Sequence, residues 1–402
     1  MGGDKPIRQS KRFLGLYALA VAGGSVSYAP FLTIILPLRA TEIAGTSAIQ
    51  LLSYVAFAGA IAASLSNLFF GWLSDRTGNR RGWILAGAVL SGVLLMAMRL
   101  ADTVPELLGL ICLWQVSLNL MLAPLAAWAG DCVPDEQKGI LGGLLSLAPG
   151  MGALAGALVT IPGLAGGEAR LMLIAGMVCA LVLPAVLFGR PRPMPHLMED
   201  GAGAAPQSRA DPAPVPGKNH LPVWRMWLAR LTVQIAEASL FAFLFLWLRQ
   251  VEASVTDNLV ATIFTTVLFA SVPVAIFAGR WSDRTGRPMT PLIVAASCCA
   301  LGLLGMAGSQ GLEAAVAGYG LFGLAAAVFL ALHASQTLRV LPRPSRRGRD
   351  LGIFNLTNTI PSLIMPGLTL TLIPLFGFRV LFVMLAMLVT ASGLLLATRR
   401  LR

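Results

Sequence analysis

The chain of 402 residues is 56% hydrophobic and only 12% charged, with a formal net charge of +12 at pH 7. A water-soluble domain is about 25% charged, so the composition excludes a soluble fold of this size. It also excludes a nucleic-acid footprint, because the basic residues are scattered over short segments rather than gathered on one face.

Apolar runs of about 20 residues, long enough to cross about 30 Å of hydrocarbon, recur along the chain. In order they fall near 13–38, 48–72, 83–101, 105–129, 140–162, 170–189, 223–247, 257–279, 289–308, 312–335, 350–374 and 377–398. Segments of alternating polarity, which a membrane β-barrel needs, are absent. The expected fold class is therefore all-α integral membrane, with twelve transmembrane helices. Lys5, Arg8, Lys11 and Arg12 precede the first run. That run is too long for a signal-peptide core and is expected to remain as the first helix.

Residues 190–222 hold eight prolines among small polar residues, a composition that reads as a flexible linker. It divides the chain into an N-terminal six-helix bundle (1–189), the linker (190–222) and a C-terminal six-helix bundle (223–402). With both termini on one side, that side carries 24 of the 30 Lys and Arg residues; only Arg39, Arg99, Arg170, Arg249 and Arg379 fall on the other. The positive-inside rule makes the basic side cytoplasmic. Cys112, Cys132, Cys179, Cys298 and Cys299 show no metal spacing. With three histidines and no nucleophile–base arrangement, no cofactor, metal or enzymatic activity is expected.

The pentapeptide SDRTG occurs twice, with Asp75 and Asp283 separated by 208 residues. The same offset carries Val133-Pro134 onto Leu341-Pro342 and Phe13 onto Leu221. One offset across these landmarks indicates a duplicated six-helix unit. Two parallel repeats with a site between them are a transporter plan.

The segment GWLSDRTGNRR, residues 71–81, resembles the loop signature of the major facilitator superfamily at Gly71, Leu73, Ser74, Asp75, Arg76, Gly78, Arg80 and Arg81, and departs from it at Asn79. The second copy matches at Gly279, Ser282, Asp283, Arg284, Gly286 and Arg287, and departs at Trp281. The resemblance implies that Asp75 acts as a conformational latch, accepting from the exposed N–H groups at the start of the eleventh span near Asp350. A helix N-terminus favours negative charge there. Arg76, Arg80 and Arg81 are expected at the anionic cytoplasmic leaflet. Asp131 and Pro134, with Leu351, Gly352, Asn355 and Pro361, resemble the glycoside–cation symporter and sucrose-transporter branch, although the first six spans lack acids away from their edges. Pro149, Gly150, Gly152 and Gly156 resemble the Gly-Pro motif of drug antiporters in a different order, and also read as small residues that let helices approach.

Polar residues inside spans tend to face a cavity or a partner. The candidates for substrate binding are Tyr28, Asn67, Gln115, Asn119, Arg230, Gln234, Asn355 and Asn358, with Tyr17, Gln336 and His333 weighed beside them. Gln115 and Asn119 share a face of the fourth span, as Asn355 and Asn358 do of the eleventh. Interhelical hydrogen bonding is the alternative use of each pair, and a bonded helix-end residue that of His333. Paired amides suit hydroxylated neutral ligands. Trp72, Trp128 and Trp247 read as interface anchors. Arg230, Gln234 and Glu237 form one stripe of the seventh span, with Gln234 able to bridge the other two. Glu237 is the one acid well inside a span and the candidate for proton coupling. The expectation is a monomeric secondary transporter of the plasma (bacterial inner) membrane working by alternating access. Its partners are a small-molecule substrate, protons and the lipid bilayer. A saccharide or glycoside is placed slightly ahead of efflux of an amphipathic drug or lipid.

Overall fold

The computed structural model describes residues 8–134, 137, 141, 144, 145, 147–192, 223–285, 287, 289–340 and 347–397, and every regular element among them is helical. The chain starts α1 (residues 11–44) behind Ser10, whose side chain accepts from the Phe13 N–H. Pro30 lies inside α1 and has no N–H for the ladder; the backbone widens into a π turn at Phe31–Ile35 before continuing as Leu36–Ala44. Gly45, at φ +53, then breaks the helix, and α2 runs Ala48–Thr77. The whole Lys11–Thr77 stretch is apolar over 67 residues. Straight, it would measure about 100 Å at the α-helical rise, so it makes two crossings.

The next helices are α3 (Arg80–Ala97), α4 (Val104–Cys132), α5 (Ala148–Val159 of its described part), α6 (Gly167–Phe188) and α7 (Val223–Val251). α8 (Asp257–Thr285), α9 (Thr290–Gly308) and α10 (Leu312–Val340) follow. The 51-residue helix Arg347–Ala397 is broken at Gly377 (φ 71, ψ −178), a conformation that disfavours any side chain. It therefore supplies α11 (residues 347–376) and α12 (residues 378–397). Several helices overrun the expected spans on the side of the termini: α2 continues to Thr77 and α10 to Val340.

The packing repeats. In the first half α1 lies against α5 and α6, α4 against α2 and α3, and α3 against α6. In the second half α7 lies against the 347–397 segment, α10 against α8 and α9, and α9 against that same segment. Small residues allow the closest approaches, as they do where lipid supplies no hydrophobic drive between helices. A Cβ on Gly87 of α3 would stand 2.3 Å from the Met121 nitrogen of α4, and one on Gly302 of α9 would stand 2.5 Å from the Phe322 nitrogen of α10. A Cβ on Gly152 of α5 would stand 2.9 Å from the Ser25 carbonyl oxygen of α1, and one on Gly156 3.3 Å from Ile34 Cδ1, so these two glycines serve packing.

Trp128 and Trp247 are not interface anchors. Each is 4% exposed; Trp128 packs edge-on to Phe13 at 5.3 Å, and Trp247 edge-on to Phe382 at 4.9 Å. Trp72, by contrast, is exposed. Large apolar side chains such as Phe277 and Leu375 are more than 70% exposed, which suits a hydrocarbon surround and not water.

Candidate functional site

Counted as one crossing each, the twelve described helices put residues 11 and 397 on one side, here called the terminal side; the other is the distal side. Between the halves lies a cavity of about 660 Å³. α2 lines it from Leu52 to Leu68, about 24 Å of helix, and α11 lines it from Leu356 to Met365. Leu32 and Leu36 of α1, Gln115 and Asn119 of α4, and Ala238, Phe241 and Ala242 of α7 complete the wall. Thirteen of the twenty lining residues are apolar, and the other seven are Ser64, Asn67, Gln115, Asn119, Asn358, Thr359 and Ser362.

The polar groups form one set on each wall. On the first half, Asn67 Nδ2 donates to Asn119 Oδ1 at 3.2 Å, and Asn119 Nδ2 donates to the Gln115 carbonyl at 2.9 Å. On the second half, Gln234 Nε2 donates to Asn358 Oδ1 at 2.8 Å. Arg230 donates to the same oxygen from Nη2 at 3.4 Å, and from Nε to Thr357 Oγ1 at 3.0 Å. Glu237 makes no hydrogen bond or ion pair among the described residues. It lies within electrostatic reach of Arg230, and of Tyr28, Cys299 and Tyr319 on α1, α9 and α10. The predicted stripe is therefore divided: Arg230 and Gln234 turn onto α11, Glu237 faces the interior beyond them, and Gln234 bridges to Asn358 rather than to Glu237.

At the terminal side the SDRTG turn is built from two caps. Gly78, at φ 64, closes α2 with its N–H on the Ser74 carbonyl. Asn79, where the signature carries a base, caps α3 by accepting from the Gly82 N–H at 3.0 Å. Arg80 then occupies the centre of an acidic cluster. It reaches Asp75 at 2.5 Å, Asp131 at 2.9 Å and Ser74 Oγ at 2.6 Å. Arg81 donates to the Gly189 carbonyl at the end of α6 and lies over the Trp128 ring, while Arg76 lies over Trp72. Gly71 gives its carbonyl to Ser74 Oγ at 2.9 Å. All these contacts stay within the first half, and Asp75 is 63% exposed. The expected contact of Asp75 with the start of α11 is not made among the described residues.

In the second copy, Gly279 lies beside Leu332 and Arg284 is exposed. Gly286, the side chains of Asp283 and Asn355, and the 190–222 linker apart from its first three residues lie outside the described residues.

The described side-chain bonds between the halves sit towards the distal side. Arg170 of α6 pairs with Asp257 of α8. Asn258 Nδ2 donates to the Ala157 carbonyl at 3.0 Å and to Thr160 Oγ1 at 3.2 Å. Ser53 of α2 meets Thr369 of α11 at 2.9 Å. The halves are thus clasped distally, and the cavity extends towards the terminal side.

The family profile described as the Major Facilitator Superfamily matches residues 13–257 and 226–402, once for each half. The chain belongs to the major facilitator superfamily. It is 30% identical over 327 residues to proteins of two Mycobacterium tuberculosis strains, each described as an uncharacterized MFS-type transporter; the match covers 77% of this chain and 66% of those relatives. Two solved structures show the same fold. One is an auto-inhibited peptide transporter of the POT family, with TM-score 0.70, 12% identity and 98% coverage of both chains. The other is a bacterial homolog of the human lysosomal transporter Spinster, inward-facing and unoccupied, with TM-score 0.65, 13% identity and coverage of 98% and 95%.

In this superfamily member the structure gathers Asn67, Gln115, Asn119 and Asn358 on the cavity wall. Arg230 and Gln234 stand directly behind Asn358. Tyr28 lies outside the wall, beside Glu237. His333 is buried against the Met226 carbonyl at 2.8 Å, bonded as expected but seven residues inside the end of α10. Sequence reasoning missed Ser64, Thr359 and Ser362. For Ser64, three residues before Asn67, and Ser362, four after Asn358, helical spacing was the available signal; Thr359, adjacent to Asn358, had none of that kind. It also missed the Arg170–Asp257 clasp.

Proposed function

We propose that the chain is a secondary active transporter, in which halves 1–189 and 223–402, joined by 190–222, rock about the cavity between them. The observation that carries this reading is the cavity itself, lined by both halves and by amides from each. The excess of Lys and Arg on the terminal side supports a cytoplasmic placement of both termini. The described arrangement is then inward-facing. The apolar majority of the wall favours a small organic solute with an apolar body and a polar end.

The saccharide or glycoside reading keeps one support, the Gln115, Asn119, Asn67 and Asn358 amides. Asp131, which pointed to the sucrose-transporter branch, is occupied in holding Arg80 and carries no weight for sugars. Glu237, the isolated acid near the cavity, is the proposed proton carrier. The test is uptake into proteoliposomes with and without an imposed pH gradient. Gradient-driven accumulation of an amphipathic solute that Asn119→Ala impairs is the expected outcome. Transport insensitive to cavity substitutions would refute the assignment of the site.

A further inference from the structure

A charged side chain at membrane depth is costly and is retained where it meets a partner or water. Arg230 lies in the third turn of α7, within the hydrophobic span Trp224–Val251. Its guanidinium carries five N–H donors in a rigid fork. Nε is bonded to the Thr357 hydroxyl and Nη2 to the Asn358 amide oxygen, and both acceptors are neutral. Glu237, about 10 Å further along the helix axis, forms no ion pair with it. The other ion pairs among the described residues lie at helix ends, on Arg39, Arg80 and Arg170. Among the described residues the other N–H groups of Arg230 meet no acceptor, and Arg230 is only partly buried.

Arg230 thus places a positive charge, without a carboxylate contact among the described residues, immediately behind Asn358 of a wall whose lining polar groups are neutral. The protein fixes its orientation through Thr357 and Asn358. A neutral sugar would be served by the amides alone and would leave the guanidinium without a hydrogen-bonded carboxylate. Distal to Arg230, the wall turns apolar at Phe241, Ala242, Leu52 and Val55.

Resting on the cavity reading above, we propose that the transported solute is an amphipathic organic anion. Its acidic head, a carboxylate or a similar oxyanion, is bound by the Arg230–Asn358 pair, and its apolar body lies along α2 and α7 towards the distal side. An oxyanion accepts two parallel N–H bonds from such a fork, the geometry that makes Arg superior to a point charge.

The test uses the full chain in lipid nanodiscs, with empty nanodiscs as reference, and three probes sharing one apolar body: naphthoate, naphthyl glucoside and naphthyltrimethylammonium. Naphthoate is expected to bind about tenfold more tightly than the glucoside, the worth of one charge-assisted bond. Arg230→Gln should remove that preference and leave glucoside binding in place, and Arg230→Lys should retain part of it. Equal binding of naphthoate and glucoside by the unmodified chain overturns the inference, without any variant having to fold. So does naphthoate binding that Arg230→Gln leaves unchanged. If glucoside binding then still depends on Asn119 and Gln115, the cavity stands as the site and only the anion falls. If no probe responds to the amide substitutions, the cavity reading fails and the inference with it.

Discussion

Asp257→Asn should shift the two-state equilibrium away from the described arrangement. Asp257 and Arg170 are each 19% exposed and join α8 to α6 across the halves. Exposed ion pairs contribute about 0–1 kcal/mol, and removing one partner of a fully buried pair costs about 3–5 kcal/mol. A pair of intermediate exposure that keeps an amide in place of the carboxylate should lose about 1.5 kcal/mol, close to tenfold in an equilibrium constant. The bond exists only while the distal side is closed, so the loss falls on that state alone. Starting from about 90% terminal-open molecules, a tenfold shift leaves about half.

The readout is alkylation of single cysteines in a background lacking the five native ones. Ala63→Cys, on the cavity wall, should react about half as fast from the terminal side, in line with that population shift. Leu36→Cys, near the distal end of the wall, should gain about fivefold from the distal side by the same arithmetic. Arg170→Gln should give the same shift, and the double variant no more than either alone. Unchanged rates at both cysteines, or additive effects of the two substitutions, would refute the clasp.

Asp75→Asn should leave thermal stability within about 1 kcal/mol, as for an exposed pair, yet lower transport and enrich the terminal-open state; unchanged transport with unchanged cysteine accessibility refutes the latch. Asp131→Asn should also enrich that state, because Arg80 is left with Asp75 as its sole carboxylate; an accessibility shift in the opposite direction refutes this. Glu237→Gln should abolish gradient-driven accumulation while permitting substrate exchange, and full accumulation by the variant ends the coupling proposal. Gly87→Val should lower the melting temperature by several degrees, an overpacking cost of about 1–3 kcal/mol, because its Cβ would meet the backbone of α4; an unchanged melting temperature contradicts the close packing of α3 on α4.

The crossings were legible because a helix in lipid must be apolar along its length and the turns must not be. The duplicated offset was legible because both copies must solve the same turn. The caps at Gly78 and Asn79 are local chemistry, and the departure of Asn79 from the signature finds its reason there. Pairing was not legible. Arg170 and Asp257 are 87 residues apart at span edges, where sequence reads a charge as an orientation signal and says nothing of which half faces which. Along α7 the period placed Arg230 and Gln234 correctly on one face. It could not show that α11 takes up both while Glu237, three residues on, turns towards α1 and α10. Trp128 and Trp247 misled for the same reason: a span end is at the membrane surface only where no neighbouring helix covers it.

The expected partner of Asp75, the start of α11, is not the one it meets among the described residues, where it pairs with Arg80. Arg80 holds two carboxylates at once, Asp75 at 63% exposure and Asp131 at 30%. One guanidinium needs only one carboxylate for neutrality. Asp75 is therefore the surplus acid, and its release leaves Arg80 13% exposed but still paired with Asp131. In the latch we propose, handing Asp75 to the first N–H groups of α11 would remove an exposed ion pair that Arg80, still held by Asp131, can spare, and would gain a helix-terminus contact of about 0.3–1 kcal/mol. A near-balanced exchange is what a switch needs, since a strong bond in either state would trap the protein there. In that latch the second acid of the cluster would keep the exchange cheap, and a sequence containing SDRTG without Asp131 would hold Asp75 more firmly in the terminal-open state.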